Sequence, residues 1–373
     1  MRIAITQFRA IFWDAESAYW RVLTPESSLK ALFERTSAAV PWDASRGLGA
    51  VELPLRDFGR PLLEAADLGG VDPEQLAVVI GSSKGAPHRI FSWMEQGNRG
   101  GADDAPWTWS GDWPALRVAE LTGARGPCLA PAAACASGGH ALALAAQLLR
   151  DGRADAVLAG STEVGLSGPI LAGYRRLGAL SKTGVMRPFD RRRDGFVPNS
   201  GAGVFLLERE ESARARGAGI LGYLTGWSLL ADATHLTALC PSGESIGRAI
   251  RGALRRAGRE SVDYVNAHGT ATRVNDVTEA RGIAGALGTA VPVSSTKGLT
   301  GHLLGAAGSV EAALCVLAMR EGFAPPTVGL EERDEAGDLD YIPLQGRVMP
   351  LASVLSLNYG FGGHIGALVF ERE

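Results

Sequence analysis

The sequence predicts an α/β protein with mainly parallel sheets. Short apolar runs recur along the chain and end in glycine or another small residue, as buried strands do. Segments of helix-forming composition lie between them, and that alternation is the signature of βα units. The chain has 373 residues, 46% hydrophobic and 21% charged. This is ordinary globular usage, long enough for a large core and for two domains or one duplicated unit.

Taken in order, RIAITQF near the start reads as an opening strand. Leu76–Gly81 (LAVVIG) reads as a buried strand that runs into the glycine-containing turn GSSKG. Residues 135–150 (CASGGHALALAAQLLR) have helix-forming composition, and 155–160 (DAVLAG) and 203–208 (GVFLLE) read as further strands. In the second half, 220–227 reads as strand and 247–257 (GRAIRGALRRA) as an amphipathic helix. Residues 262–266 and 291–295 read as strands, 302–320 as a long apolar helix, and 354–357 and 365–370 as closing strands. A domain boundary is expected near the charged, small-residue stretch 210–219. Seven of the eight tryptophans lie before residue 114, among them Trp107, Trp109 and Trp113, and read as cover for loops and interfaces.

Composition excludes several classes. A formal net charge of −3 does not suit a general nucleic-acid binder. The four cysteines, Cys128, Cys135, Cys240 and Cys315, form no CxxC pair and no cluster with zinc spacing, so reduced thiols and no metal are expected. The opening MRIAITQFRAIFWD is broken by Arg9 and Asp14 and lacks the apolar core of a signal peptide. No stretch has the length of a membrane span, and a cytoplasmic protein is expected.

Four segments carry chemistry. In Ala132–Gly139 (AAACASGG), Cys135 opens a helix, where the macrodipole favours thiolate and a lowered pKa. A thiolate is the nucleophile of acyl transfer, although buried cysteine is also a common small core residue. In 266–272 (NAHGTAT), His268 follows an apolar strand, at the carboxyl end of a sheet where α/β sites form. Thr270 and Thr272 there suit an amide-bearing ligand or simply cap a turn. In 295–302 (STKGLTGH), Lys297 and His302 precede a small-residue helix carrying Glu311, and charges in so apolar a setting need partners. In 358–364 (NYGFGGH), a glycine-rich turn between strands is able to present backbone N–H groups to an oxyanion, or is a tight hairpin. Cys135 and His302 each stand where a small-residue helix begins, which hints at duplication.

On these segments the chain resembles the elongating β-ketoacyl-acyl-carrier-protein synthases of the thiolase superfamily. Further agreement lies in 187–190 (RPFD), 193–197 (RDGFV) and 232–237 (DATHLT), and the match runs from about residue 76 onward. The resemblance implies a thiolase-like fold: two duplicated βαβαβαββ halves, here 1–212 and 213–373, in a five-layered α-β-α-β-α core. It implies that Cys135 takes an acyl chain from a phosphopantetheine thioester. It implies that His268 and His302 stabilise the enolate formed when a malonyl thioester loses CO₂. Backbone N–H groups of Cys135 and Phe361 would hold the oxyanion, and Lys297 and Glu311 would support the site. Thr270, Thr272, His235, Thr237, Tyr359 and Phe361 would contact substrate. The implied partners are an acyl carrier protein and a second subunit, identical or related, with no cofactor beyond the arm the carrier brings. Arg187 and Arg193 are expected to help an acidic carrier dock. A non-decarboxylating acyltransferase and a silent chain-length subunit are the alternatives, and Cys135, His268 and His302 together speak against both.

Overall fold

The computed structural model describes residues 2–14, 19–34, 68–85, 87–95, 110–163, 168–334 and 338–373. The first half runs β1 (Ile3–Asp14), β2 (Tyr19–Leu23), α1 (Leu29–Glu34), β3 (Leu76–Gly81), α2 (Pro87–Glu95), α3 (Trp113–Thr122) and β4 (Cys128–Leu129). It continues through α4 (Ser137–Arg150), β5 (Ala156–Glu163), α5 (Gly168–Arg176), β6 (Gly201–Arg209) and α6 (Glu210–Ala215). The second half runs β7 (Gly222–Ala231), α7 (Glu244–Ala257), β8 (Tyr264–Asn266), α8 (Arg273–Leu287), β9 (Pro292–Ser294), α9 (Lys297–Thr300) and α10 (Ala307–Glu321). It closes with β10 (Phe323–Ala324), β11 (Asp340–Tyr341), β12 (Arg347–Val348), β13 (Ser353–Gly360) and β14 (His364–Glu371).

The duplication hinted at by the sequence is explicit in the strand pairing. From β1 the ladder passes antiparallel to β6, antiparallel to β5, then parallel to β3 and β4. From β7 it passes antiparallel to β14, antiparallel to β13, then parallel to β8 and β9. The two series join where Ile3–Ile5 pairs with Gly222–Leu224. The expectation of mainly parallel sheets therefore needs correction. Parallel pairing is confined to the outer strands of each series, because β13 and β14 form a hairpin and β1, β6 and β7 run against their neighbours.

Helices α4 and α10 both pack against strands of both series and against each other, so they form the layer between the two half-sheets. That location dictates their composition. A helix sandwiched between sheets has no solvent face, and thirteen of the fifteen residues of α10 are buried, from Ala307 to Met319. Small residues let the two helices meet at their first turns. A Cβ on Gly308 would lie 2.5 Å from the Gly139 nitrogen, and one on Gly138 would lie 2.6 Å from the Ser309 nitrogen. The hydroxyls of Ser161 and Ser309 bridge the same crossing at 2.6 Å. The segments just before α4 and α10, which carry Cys135 and His302, are thereby brought together.

The outer layers follow amphipathic rules. Helix α7 buries Ile246, Ala249, Ile250, Ala253 and Leu254 against β7 and β14 and turns its arginines outward. Helix α3 covers β3, and Trp113 at its start is half-buried. Trp42, Trp107 and Trp109 lie outside the described residues. No helix among the described residues is long and apolar enough to cross a membrane.

Candidate active site

The turn that carries Cys135 lies between β4 and α4. Ser137 pins it from both sides: its hydroxyl accepts from the Ala133 N–H at 2.9 Å and donates to the Ala134 carbonyl at 2.7 Å. Ala134 is held at φ 48°, a left-handed backbone that costs a non-glycine residue about 1 kcal/mol or more and that gathers at functional sites. Immediately after it stands Cys135, buried, with 6% of its surface exposed. The end of β13 presses on the same turn. A Cβ on Gly360 would lie 2.4 Å from the Ala133 carbonyl oxygen and 3.1 Å from the Cys135 nitrogen. Gly360→Ala is therefore expected to displace the turn and slow acylation of Cys135 at least about tenfold, a loss measurable by mass spectrometry of the labelled peptide.

The expected depression of the Cys135 pKa is not what the structure gives. Burial pushes the thiol up to about 12, while Lys84 and Lys297 pull it down and Glu163 pushes it up. Helix α4 begins at Ser137, two residues beyond the sulfur, and desolvation outweighs the field at that helix end. The group rests as a thiol. Its alkylation by iodoacetamide is expected to accelerate roughly tenfold per pH unit from 7 to 10 without a plateau; a plateau below pH 9 would contradict this.

His268 follows β8. Its backbone N–H and that of Gly269 donate to the two oxygens of buried Glu279 at 2.7 and 2.8 Å, which fixes the loop on α8. Burial pushes the Glu279 carboxyl up to about 8, against the pull of those two N–H donors. Lys297 Nζ lies 3.4 Å from His268 Nδ1. An ammonium only donates, so Nδ1 accepts and the ring proton sits on Nε2. Lys297 also pairs with Glu311, whose second oxygen accepts from Asn358 Nδ2 at 3.0 Å. Lys297 and Glu311 are both buried, so the pair anticipated from sequence is present at the base of the site.

His302 is locked through its backbone. Its N–H donates to the Val197 carbonyl at 2.7 Å, and its carbonyl accepts from the Asn199 N–H at 2.9 Å. Its ring stands edge-on to Phe196 at 5.0 Å and to His268 at 5.4 Å between centroids. Buried Nδ1 of His302 has no hydrogen-bond partner among the described residues. Burial, reinforced by the Lys297 charge, holds both histidines well below the usual histidine range, so both are neutral near pH 7.

One cavity of about 570 Å³ is lined by Cys135, His268, His302, Thr270, Thr272, Thr237, Tyr359 and Phe361 together. Its volume suits a small-molecule arm. The Thr270 and Thr272 hydroxyls lie 3.0 Å apart, and the Tyr359 ring stands 5.1 Å from that of His268. Exposed Lys182, Arg273 and Val274 line its outer part. The Beta-ketoacyl synthase, N-terminal domain family model matches residues 60–213, and the Beta-ketoacyl synthase, C-terminal domain model matches residues 221–331.

The chain belongs to the β-ketoacyl synthase family. It is 49% identical over 191 residues to 3-oxoacyl-[acyl-carrier-protein] synthase 2 of a Synechocystis species, covering 50% of this chain and 46% of that one. It is 46% identical over 190 residues to the actinorhodin polyketide putative beta-ketoacyl synthase 1 of Streptomyces coelicolor, 50% and 41% of the two chains. The chain thus spans about half the length of the curated relatives it matches. Among solved structures, a type II polyketide ketosynthase complexed with its acyl-carrier protein superposes with a TM-score of 0.83 at 26% identity, covering 100% and 99% of the two chains. A β-ketoacyl synthase from Burkholderia phymatum gives 0.81 at 28% identity over the same shares. The thiolase-like fold expected of the family is therefore the fold observed.

Two readings of this ketoacyl synthase site need correction. His235 is exposed and absent from the cavity wall; its Nδ1 accepts from the Thr237 N–H at 3.1 Å within its own turn. Arg193 is 5% exposed, donates to the carbonyls of Thr272 and Arg273 at 3.1 and 2.9 Å, and pairs with Asp334, so it braces the fold instead of meeting a carrier. Arg187, the other arginine expected to help docking, is half-buried and donates to Thr183 Oγ1 at 3.4 Å, which leaves that expectation open to test. Sequence reasoning gave no role to Lys84, Glu163 or Glu279, nor to Asn358 beyond its place in the glycine-rich turn. Lys84, Glu163 and Asn358 are identified only by partners 47 to 142 residues away, and Glu279 by the His268 loop 10 and 11 residues before it; Lys84 carried a hint, as a cation in a glycine turn.

Proposed function

We propose that this chain is a β-ketoacyl synthase that performs decarboxylative Claisen condensation of an acyl thioester with malonyl-acyl carrier protein, in fatty-acid or polyketide-like biosynthesis. The observation that carries this reading is the convergence of Cys135, His268 and His302 on one cavity, with Lys297 directing the His268 proton to Nε2.

The first half, 1–212, supplies the nucleophile and the second, 213–373, the histidines. Cys135 Sγ attacks the acyl thioester carbonyl, the pantetheine thiolate leaves, and the thiol proton ends on it. The malonyl carbonyl then accepts hydrogen bonds from Nε2–H of His268 and from His302. Loss of CO₂ leaves an enolate on that oxygen, which neutral donors stabilise without a metal. Its carbon attacks the acyl-Cys135 carbonyl, and the backbone N–H groups of Cys135 and Phe361 hold the oxyanion, each such donor worth about 3–4 kcal/mol. Collapse expels the Cys135 thiolate and releases the β-keto thioester. Thr270, Thr272 and Thr237 line the arm's approach, and no cofactor is needed besides the arm itself.

The same reading includes a dimer, with an identical or a related subunit. Among the described residues, strand β4 is one edge of the long sheet; Leu129 on it and Leu116 on the adjoining helix α3 are 39% and 48% exposed. An open edge with apolar neighbours is a ready site for pairing. Sedimentation at micromolar concentration is expected to give twice the 39.0 kDa chain mass, or that of a complex with a related subunit; a monomer after co-expression with candidate partners would contradict it.

A further inference from the structure

The GSSKG turn follows β3, and its position is set by Gly81. A Cβ there would lie 2.9 Å from the Ser137 carbonyl oxygen and 3.0 Å from that of Pro131, so the turn emerges directly beside the Cys135 loop. The neighbouring strand β5, parallel to β3, ends at Glu163. Lys84 Nζ pairs with Glu163, whose side chain is wholly buried, and donates to Ser83 Oγ at 2.9 Å. The other Glu163 oxygen accepts from the Ser83 N–H at 3.2 Å and from the Gly305 N–H at 3.0 Å. Gly305 stands three residues beyond His302, and a Cβ there would lie 2.6 Å from Glu163 Oε2 and from the Ser83 nitrogen. One carboxylate thus fixes a cation, the turn that carries it and the turn that follows the second histidine. The cavity wall itself includes neither Lys84 nor Glu163.

We propose that Lys84 is a positioning residue for Cys135: its ammonium, fixed by Glu163 beside the nucleophile loop, supplies the positive field that the thiolate needs as it forms. A buried thiol has no water to stabilise its anion, so a fixed cation is the efficient substitute. The direction of the Lys84 effect on Cys135 agrees. The charged and titratable groups around the sulfur are Lys84, Glu163, Lys297, His268, His302 and Tyr174. Lys84 and Lys297 are both ion-paired, with Glu163 and Glu311, and both pull the thiol down; Lys84 has the larger effect and stands on the turn that emerges beside the Cys135 loop.

The inference rests on Cys135 being the nucleophile, but its test needs no acyl substrate, so it fails or survives independently of the condensing reaction. Iodoacetamide alkylation of Cys135 is followed by peptide mass spectrometry between pH 7 and 10.5. Lys84→Met is expected to slow alkylation about tenfold at a given pH, equivalent to a rise of about one pKa unit. Lys84→Arg is expected to stay within about threefold of the parent, because it keeps the charge. Glu163→Gln is expected to speed alkylation, and the double variant Lys84→Met/Glu163→Gln to be slower than Glu163→Gln. That last pair leaves no unpaired buried carboxylate, so it decides the matter even if Lys84→Met does not fold. Equal rates in Glu163→Gln and the double variant, or Lys84→Arg as slow as Lys84→Met, would overturn the proposal.

Discussion

His268→Ala and His302→Ala are each expected to leave Cys135 open to acylation while lowering β-keto product formation by about 10²–10⁴-fold. The split follows from placement. Attack by Cys135 requires its turn, held by Ser137 and Gly360, and neither histidine contributes to that turn. Decarboxylation requires donors to a developing enolate. His268 is prepared for that role by Lys297 at Nδ1, and His302 by a backbone locked to Val197 and Asn199. Because burial keeps both rings neutral, CO₂ release is expected to be flat between pH 6 and 8. A step near pH 6.5 would show instead that a histidinium takes part. The check is single-turnover acylation by mass spectrometry beside CO₂ release from malonyl-carrier protein, with each variant tested in both.

The second large effect is on stability. Lys297→Met or Glu311→Leu alone is expected to destabilise the protein by about 3–5 kcal/mol, because each leaves an uncompensated charge inside the core. The double variant is expected to recover most of that loss, since a buried ion pair replaced by apolar groups of similar volume is close to neutral. It is not expected to recover condensation, because His268 Nδ1 would have lost its donor and its ring proton would no longer be confined to Nε2. Urea titration of the three variants, with condensation assayed on the folded ones, separates the two roles. A double variant no more stable than the singles would mean that the pair is not the reason for the charges.

The sequence made the site's reactive groups legible for a physical reason. Cys135 and His302 must stand before helices that run between two sheets, and such helices admit only small and apolar residues, so the segments around both are conspicuous. The strands were visible as apolar runs for the same reason: β3 was bounded correctly at Leu76–Gly81. Helix α8 was not read, because its buried side includes Asp276, Thr278, Glu279 and Gly282 and so lacks an apolar stripe. That polar face is what holds the His268 loop, through Glu279, and the 189 backbone, where the Phe189 N–H donates to Asp276 at 2.8 Å. The direction of the Cys135 shift was misread because a helix start is a local feature and burial is not. Glu163 gave no signal at all, since its partners lie 79 to 142 residues away.

The most direct test of the central claim is sequential. The purified protein is loaded with an acyl-carrier-protein thioester, the mass added at Cys135 is read on the peptide, and malonyl-carrier protein is then added. The account predicts acyl mass on Cys135, then its discharge into a β-keto product with one CO₂ released per product. Acylation that is never discharged with CO₂ release would contradict it in favour of simple acyl transfer. A Cys135 that takes no acyl group, alone or with a co-expressed related subunit, would contradict it outright.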